Sequence, residues 1–574
     1  MQIRQIKIAR FRGIRELNWT VDASIVCLIG LGDSTKSTVL DAIDLALCPR
    51  FNPPISDTDF FNEDPTEPIV IELTVGQLPN SFLREDKFGL LLRGWRAGSG
   101  LQEEPADQDE PVLSIRFQVD ATLEPAWSVV NQRVAEARAI SVRDRETLGA
   151  VRLGTDVDRH FSWSRGSALS KITTGEINPN SVLAEASRVA RQQLGQADTT
   201  VLKDAALKTQ RAAERFGVKP RENFQPALDT RATPSGMGAL SIYEGGVPIR
   251  VRGLGSRRLI ALALQTLSVQ DGAIVLIDEI ESGLEPHRIR DILKKIQQAS
   301  ATQPGAGELS IGQAFITTHS PTAIRSLSVG QLRIVRSSNG VSEVLRVNDE
   351  LQRTVRACPE AFLGRKIIVC EGKTELGMVL GLEHTWSQSR NGLSFSYLGA
   401  VPVDGTSTSM AALHARNIRL LRYDVALFID SDVDPTPSVE ELTAQGITVL
   451  RWDGQMCTEE RISLDLPWEH FKKCVRLAME VRSRESIRDA VFSALNQSPA
   501  GIGFDPDEWV NAGMEQDNVR NAFGKAAKRD KWFKMVDVGQ MLGEIIGEAI
   551  PQIGQSDLPR KLKDLEIWIY AGTS

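Results

Sequence analysis

Ile25-Val26-Cys27-Leu28-Ile29-Gly30-Leu31-Gly32-Asp33-Ser34-Thr35-Lys36-Ser37-Thr38 is the stretch that decides how this chain reads. An apolar run from Ser24 to Ile29 enters a glycine-containing turn, and an apolar helical pattern from Thr38 to Leu47 follows, which predicts strand, loop and helix. The turn approaches the pattern GxxxxGK[ST]. In such a loop the backbone N–H groups cradle phosphates, so Gly30, Gly32, Asp33, Ser34 and Thr38 would line an anion, Lys36 would reach the β and γ phosphates, and Ser37 would ligate Mg²⁺. Thr35 stands where the second glycine is expected. If that position needs positive φ, a β-branched residue costs about 1–2 kcal/mol there.

Three later stretches complete this reading. Ile274-Val275-Leu276-Ile277-Asp278-Glu279 is a buried strand ending in two acids. Asp278 suits the Mg²⁺ shell, and Glu279 suits a base that orients attacking water. Ala314 to Thr318 is a third buried strand, ending at His319, which could sense a γ-phosphate. Gly253-Leu254-Gly255-Ser256-Arg257-Arg258 opens a helix whose amides and Ser256 could bind the phosphate of an opposing subunit.

Outward from these motifs, 574 residues imply three or four domains at roughly 150 residues each. With 41% hydrophobic and 25% charged residues the chain reads as globular, not disordered or fibrous. A net charge of −7 excludes a globally basic nucleic-acid binder, so any such binding is local. Neither a signal-peptide core nor an 18-residue apolar run occurs, which predicts a cytoplasmic protein without membrane association. Six scattered cysteines without a CxxC pair read as reduced core thiols.

Strands are expected at 69–75, 112–119 and 126–130, with 94–110 as an exposed loop. Leu351 to Phe362 reads as a connecting helix. A second α/β segment then has strands at Lys366–Cys370, Phe395–Leu398, Val425–Ile429 and Thr448–Leu450, alternating with helices, and this implies a parallel sheet. Expected boundaries are 1–178 and 236–350 for an interrupted nucleotide-binding domain, 179–235 for a helical insertion, 365–460 for the second α/β domain, and 461–574 for a helical tail.

The second domain concentrates acids at strand ends. Lys366 to Cys370 runs into Glu371-Gly372-Lys373-Thr374-Glu375, and Val425 to Ile429 runs into Asp430-Ser431-Asp432-Val433-Asp434. Ligands of a parallel sheet gather at the carboxyl ends of its strands, and gathered carboxylates call for a hard cation, Mg²⁺ or Mn²⁺.

The order of the first four elements resembles the ATP-binding-cassette ATPases, in the branch shared with chromosome-maintenance and recombination-repair ATPases. That resemblance implies ATP as cofactor and a head-to-head homodimer, although Gly-Leu-Gly-Ser-Arg-Arg replaces the usual LSGGQ. About 240 residues between Lys36 and Asp278 are too few for long coiled-coil arms. The acids resemble a Toprim domain, which implies Glu371 as general base or metal acid, Asp430 and Asp432 as metal ligands, and Glu375 and Asp434 as further metal acids. ATPase followed by Toprim is similar to the layout of the OLD (overcoming lysogenization defect) nucleases, including the nuclease subunit of Gabija anti-phage systems. This implies an ATP-regulated, two-metal DNA endonuclease or nickase, with an acid at Glu459 or Glu460 and a lysine in Arg529-Asp530-Lys531-Trp532-Phe533-Lys534, for which Lys531 is the candidate. Family members act alone, with a helicase or with a retron reverse transcriptase; dimers through the ATPase and insertion, or tetramers, are expected. The alternative is a DNA-binding ATPase of repair or recombination whose Toprim module is not catalytic.

Overall fold

The run Ile25–Ile29 is a strand with all five side chains buried, and the helix after it spans Lys36–Leu47. Its apolar face (Val39, Leu40, Ile43, Leu47) repeats at helical spacing and is fully buried, each large side chain contributing about 1.5–3 kcal/mol. The computed structural model describes residues 1–47, 49, 52–134, 137–153, 157–163, 167–173, 200–228, 240–267, 272–302 and 310–571. These form two units, Met1–Arg346 and Val347–Ser574.

In the first unit one mixed sheet has a parallel half, in the order Ala150–Leu153, Ala273–Ile277, Ile311–Thr317, Ile25–Ile29 and Leu332–Ser338. The three motif-bearing strands are therefore neighbours, and their carboxyl ends lie side by side. Val341–Arg346 folds back on Leu332–Ser338, and Ile14–Thr20, Gln2–Phe11, Ile69–Gly76 and Glu110–Val119 continue the sheet into an antiparallel half. Trp127 ties that half to the first helix by donating from Nε1 to the Leu45 carbonyl at 3.0 Å.

Several expectations change. The span 94–110 is not a loop: Arg93–Arg96 and Gly100–Gln102 form a hairpin, turned where Gly98 and Gly100 take positive φ. The connecting helix is broken into Gln352–Ala357 and a 3₁₀ segment Pro359–Leu363, because Pro359 has no N–H to continue the ladder. Of the expected insertion, 179–199 and 229–235 lie outside the described residues; a helix, Thr200–Arg215, and a strand, Phe224–Leu228, are described.

The second unit carries a four-stranded parallel sheet in the order Ala400–Asp404, Lys366–Cys370, Asp424–Ile429 and Thr448–Arg451. The expected strand Phe395–Leu398 is instead a turn closed by Leu398 N–H on the Phe395 carbonyl, and pairing starts after Gly399, at φ +72°. Pro402 disguised the true strand, and it is tolerated because this strand is an edge. The helices Lys373–Ser389 and Val536–Ala549 pack through glycines: a Cβ on Gly377, Gly381 or Gly543 would lie 2.1–2.3 Å from a backbone oxygen of the other helix. The tail is helical, as expected, from Trp468–Val481 to Asp557–Tyr570. Among the described residues no helix is long and apolar enough to cross a membrane. The five described cysteines, Cys27, Cys358, Cys370, Cys457 and Cys474, are free thiols.

Candidate functional site

Strand ends in the first unit place the phosphate-loop residues against the acids. Ser37 Oγ donates to Asp278 Oδ1 at 2.9 Å, and Thr317 Oγ1 donates to the same oxygen at 2.6 Å. Lys36 Nζ is folded onto its own loop, donating to the carbonyls of Gly30 (3.2 Å) and Leu31 (2.6 Å) and to Ser34 Oγ (3.2 Å). Burial lowers the Lys36 pKa, and the negative charge of Asp278, Asp33, Glu279 and Glu281 opposes the shift. Thr35 does take positive φ, +67°, as does Asp33 two residues earlier, at +58°. Thr35 Oγ1 lies 3.0 Å from Ser342 Oγ, and its methyl faces Gly13, where a Cβ would approach it to 3.3 Å. The left-handed threonine is thus held by a hydroxyl contact on one side and a missing side chain on the other.

Glu279 also takes positive φ, +46°, and its N–H donates to Thr317 Oγ1 at 2.8 Å. His319 N–H donates to Glu281 Oε1 at 2.7 Å; burial lowers the imidazole pKa, and the Lys36 charge lowers it further. Glu281 was not singled out in the sequence, and neither was Arg152, which donates to Asp278 Oδ2 at 3.3 Å and also pairs with Asp41. Ser256 lies in the first turn of the helix Leu254–Leu267. Gly255 ahead of it is needed for packing, since a Cβ there would meet the Gly283 carbonyl oxygen at 2.3 Å.

In the second unit the strand ends gather four carboxylates. Glu371 Oε2 accepts from the Asp430 N–H at 2.8 Å, and its Oε1 accepts from Thr408 Oγ1 at 3.0 Å. Asp430 Oδ1 accepts from both the N–H and the hydroxyl of Thr458, at 2.8 and 2.7 Å. Glu375 caps its own helix, accepting from Gly372 N–H at 3.0 Å. Glu375, Asp430 and Glu459 are 4%, 9% and 4% exposed, so little water screens them. Burial first, then Glu459 and Glu371, raises the Glu375 pKa; burial first, then Glu375 and Glu371, raises that of Asp430.

The geometry divides the remaining candidates. Glu459 faces the cluster, with Thr374 Oγ1 3.5 Å from its Oε1, whereas Glu460 turns back to cap its helix on Cys457 N–H at 3.1 Å. Asp434 is almost wholly exposed and pairs with Arg451 at 3.1 Å, outside the cluster. Lys531 ends the helix Gln516–Asp530 in the left-handed conformation with an exposed side chain. The lysine that meets the acids is Lys528, whose Nζ lies 2.6 Å from Asp432 Oδ2; against a desolvation cost, that contact raises its pKa. Its signal in the sequence was position alone, one turn before Lys531.

All four clustered acids offer hard oxygen donors, and their crowding asks for a cation, so the donor set suits Mg²⁺ or Mn²⁺. As the side chains stand, no three His, Cys, Asp or Glu among the described residues converge closely enough to hold one. Carboxylate oxygens of Glu371, Glu375 and Asp430 instead accept from the hydroxyl and N–H donors above.

Residues 210–325 match the family model described as "AAA domain, putative AbiEii toxin, Type IV TA system". No curated protein matches the sequence. Among solved structures, the chain is similar to an SMC head bound to the C-terminal winged-helix domain of ScpA, at 15% identity and TM-score 0.35, covering 60% of this chain and 97% of that one. It is also similar to the SMC head domain from Thermotoga maritima, at 13% identity and TM-score 0.31, covering 61% and 100%. A third is the Pyrococcus furiosus Smc head with an extended coiled coil, bound to the C-terminal domain of ScpA, at 13% identity and TM-score 0.36, covering 62% and 98%. Residues 210–325 thus match an AAA-domain model, within a unit built on a mixed α/β sheet.

Proposed function

We propose that this protein is an ATP-regulated, divalent-metal-dependent DNA endonuclease or nickase of the OLD type, with a Toprim-like second unit and a role in anti-phage defence resembling that of the Gabija nuclease subunit. The observation that carries the reading is the gathering of Glu371, Glu375, Asp430 and Glu459 at one sheet edge, with Lys528 on the adjoining Asp432. Glu371, Asp430 and Asp432, supported by Glu375 and Glu459, would hold Mg²⁺ or Mn²⁺, whose chemistry is to activate water and stabilise the leaving oxygen of a phosphodiester. Lys528 is placed to neutralise a phosphate oxygen beside Asp432, with Lys531 as the second candidate for that charge. In the first unit, Lys36 would leave its own carbonyls for the phosphates of ATP, with Ser37 and Asp278 holding its Mg²⁺, Glu279 orienting water, His319 at the γ-phosphate, and Ser256 contributing in trans to a second copy.

A second reading is an ATPase that binds DNA and carries a non-catalytic second unit. It is favoured by a family match confined to the ATPase half and by the lack of a converged three-ligand set among the described residues. Supercoiled plasmid incubated with protein, Mg²⁺ or Mn²⁺, and with or without ATP separates the two. Cleavage lost in Asp432→Ala and Lys528→Met supports the nuclease. ATP hydrolysis without any cleavage, by wild type under all conditions, supports the second reading. Loss of cleavage in Lys531→Ala but not Lys528→Met would return the role to Lys531.

A further inference from the structure

We propose that Arg451 is the positioning residue of the acidic site: it fixes the loop 430–434 so that Asp430 stands beside Glu371 while Asp432 meets Lys528. This rests on the metal-dependent reading above. Arg451 is the last residue of the strand next to the one that delivers Asp430. Its guanidinium reaches across and spans the loop from start to end. Nε donates to the Asp430 carbonyl at 3.3 Å, Nη2 to the carbonyls of Ser431 at 3.3 Å and Val433 at 3.1 Å, and both Nη1 and Nη2 to Asp434 Oδ1 at 3.1 Å. Three of those four acceptor groups are backbone carbonyls, so the arginine constrains the chain itself and not only one exposed carboxylate.

The loop is stitched on its other side as well. Ser431 N–H donates to the Met456 carbonyl at 3.0 Å, and Met456 N–H donates to Ser431 Oγ at 3.1 Å. Between these two anchors the side chain of Asp432 is left to meet Lys528, and that of Asp430 to meet Thr458. A planar, five-donor group suits this work, since an ammonium on a flexible stem cannot satisfy divergent carbonyls from one fixed plane. Partners that orient metal-binding carboxylates in this way typically contribute 10–100-fold to metal affinity.

The test uses the full chain with Arg451→Gln and Arg451→Lys. Mn²⁺ binding is measured by calorimetry, hydrogen exchange is followed at 430–434, and plasmid cleavage is followed by kcat and KM. Arg451→Gln is expected to weaken Mn²⁺ binding about 10–100-fold, to speed exchange at 430–434 at least about tenfold, and to lower kcat with KM for DNA little changed. Arg451→Lys is expected to fall between Gln and wild type, and it supplies the reading if Gln does not fold. Mn²⁺ affinity within twofold of wild type in folded Arg451→Gln, or in Arg451→Lys where the Gln variant does not fold, overturns the proposal while leaving the metal site standing. Wild-type protein that binds no Mn²⁺ overturns the metal-dependent reading itself, and the proposal with it.

Discussion

Replacing Gly381 by alanine tests whether the close approach of two helices sets the stability of the second unit. An added Cβ would lie 2.1 Å from the Gln540 carbonyl oxygen and 2.9 Å from Glu544 N, both backbone atoms of the facing helix. Since Cβ atoms keep at least 3.0 Å, the helices must separate by about 0.9 Å or more. No rotamer change relieves a backbone clash, so the overpacking cost sits high in its usual range of about 1–3 kcal/mol. Alanine returns about 1 kcal/mol of helix propensity. The expected net loss is about 1–2 kcal/mol, which is roughly a 5–30-fold faster amide exchange in Lys373–Ser389 and Val536–Ala549. Exchange measured by mass spectrometry localises the effect to these helices, with the first unit as internal reference. Unchanged or slower exchange in both helices would refute the reasoning. The site is coupled to this contact, because Glu375 lies less than two turns from Gly381 on the same helix.

Arg93 is 4% exposed and donates to Ser114 Oγ at 2.8 Å while pairing with Glu72 and Glu103; Arg93→Met leaves Glu72 with Arg116 at 3.0 Å and Glu103 with the Gln132 N–H at 3.1 Å, and is expected to cost about 1–3 kcal/mol, read as faster exchange in Ile69–Gly76 and Glu110–Val119. His414 is 1% exposed beside Thr354, with Arg353, Asp404 and Glu350 nearby, and burial lowers its pKa. Below pH 6.5 the unfolded chain takes up a proton there that the folded chain refuses, so stability falls as pH drops through that range; His414→Gln is expected to flatten the dependence of the urea midpoint below about pH 6.5. Thr406 takes φ +70°, so Thr406→Gly relieves about 1–2 kcal/mol of left-handed strain against about 0.5–1 kcal/mol of chain entropy and should raise the urea midpoint slightly. Thr35→Gly also forfeits the contact with Ser342, worth about 1 kcal/mol, and should leave the midpoint nearly unchanged; losses above 2 kcal/mol in either variant would contradict the strain assignment.

Local chemistry was legible wherever one strand and its following loop carried the signal. The strand, turn and helix around Lys36 and the acids after Ile277, Cys370 and Ile429 can be read because burial forces an unbroken apolar run and polarity marks its end. What the sequence hid depends on partners distant along the chain. Lys528 and Lys531 are equivalent in composition, and only the left-handed turn at 531 decides which one faces Asp432. Glu459 and Glu460 are adjacent, and a helix start separates them: one points inward, the other folds back as the cap. The glycine-lined contact between Lys373–Ser389 and Val536–Ala549 joins segments more than 150 residues apart, so neither glycine series reads as an interface alone.

Backbone strain adds an argument independent of motifs. Fifteen non-glycine residues among those described have positive φ, and five of them are Asn or Asp, the types that tolerate it best. Only two, Thr35 and Thr406, are β-branched, for which the conformation is an outlier. Thr35 lies in the loop after Ile29, one residue before Lys36; Thr406 follows the strand Ala400–Asp404, which flanks the strand ending at Glu371, and its N–H is held by Asp404 Oδ1 at 2.8 Å. The two least tolerable backbones therefore stand one at each candidate site, and both are braced by neighbouring groups. A fold that needed the Thr406 loop only to connect elements would relax it with glycine, whereas at Thr35 the hydroxyl contact with Ser342 offsets the strain. Strained backbones cluster at functional sites in proteins generally, and the two threonines mark these same two loops without reference to either sequence pattern.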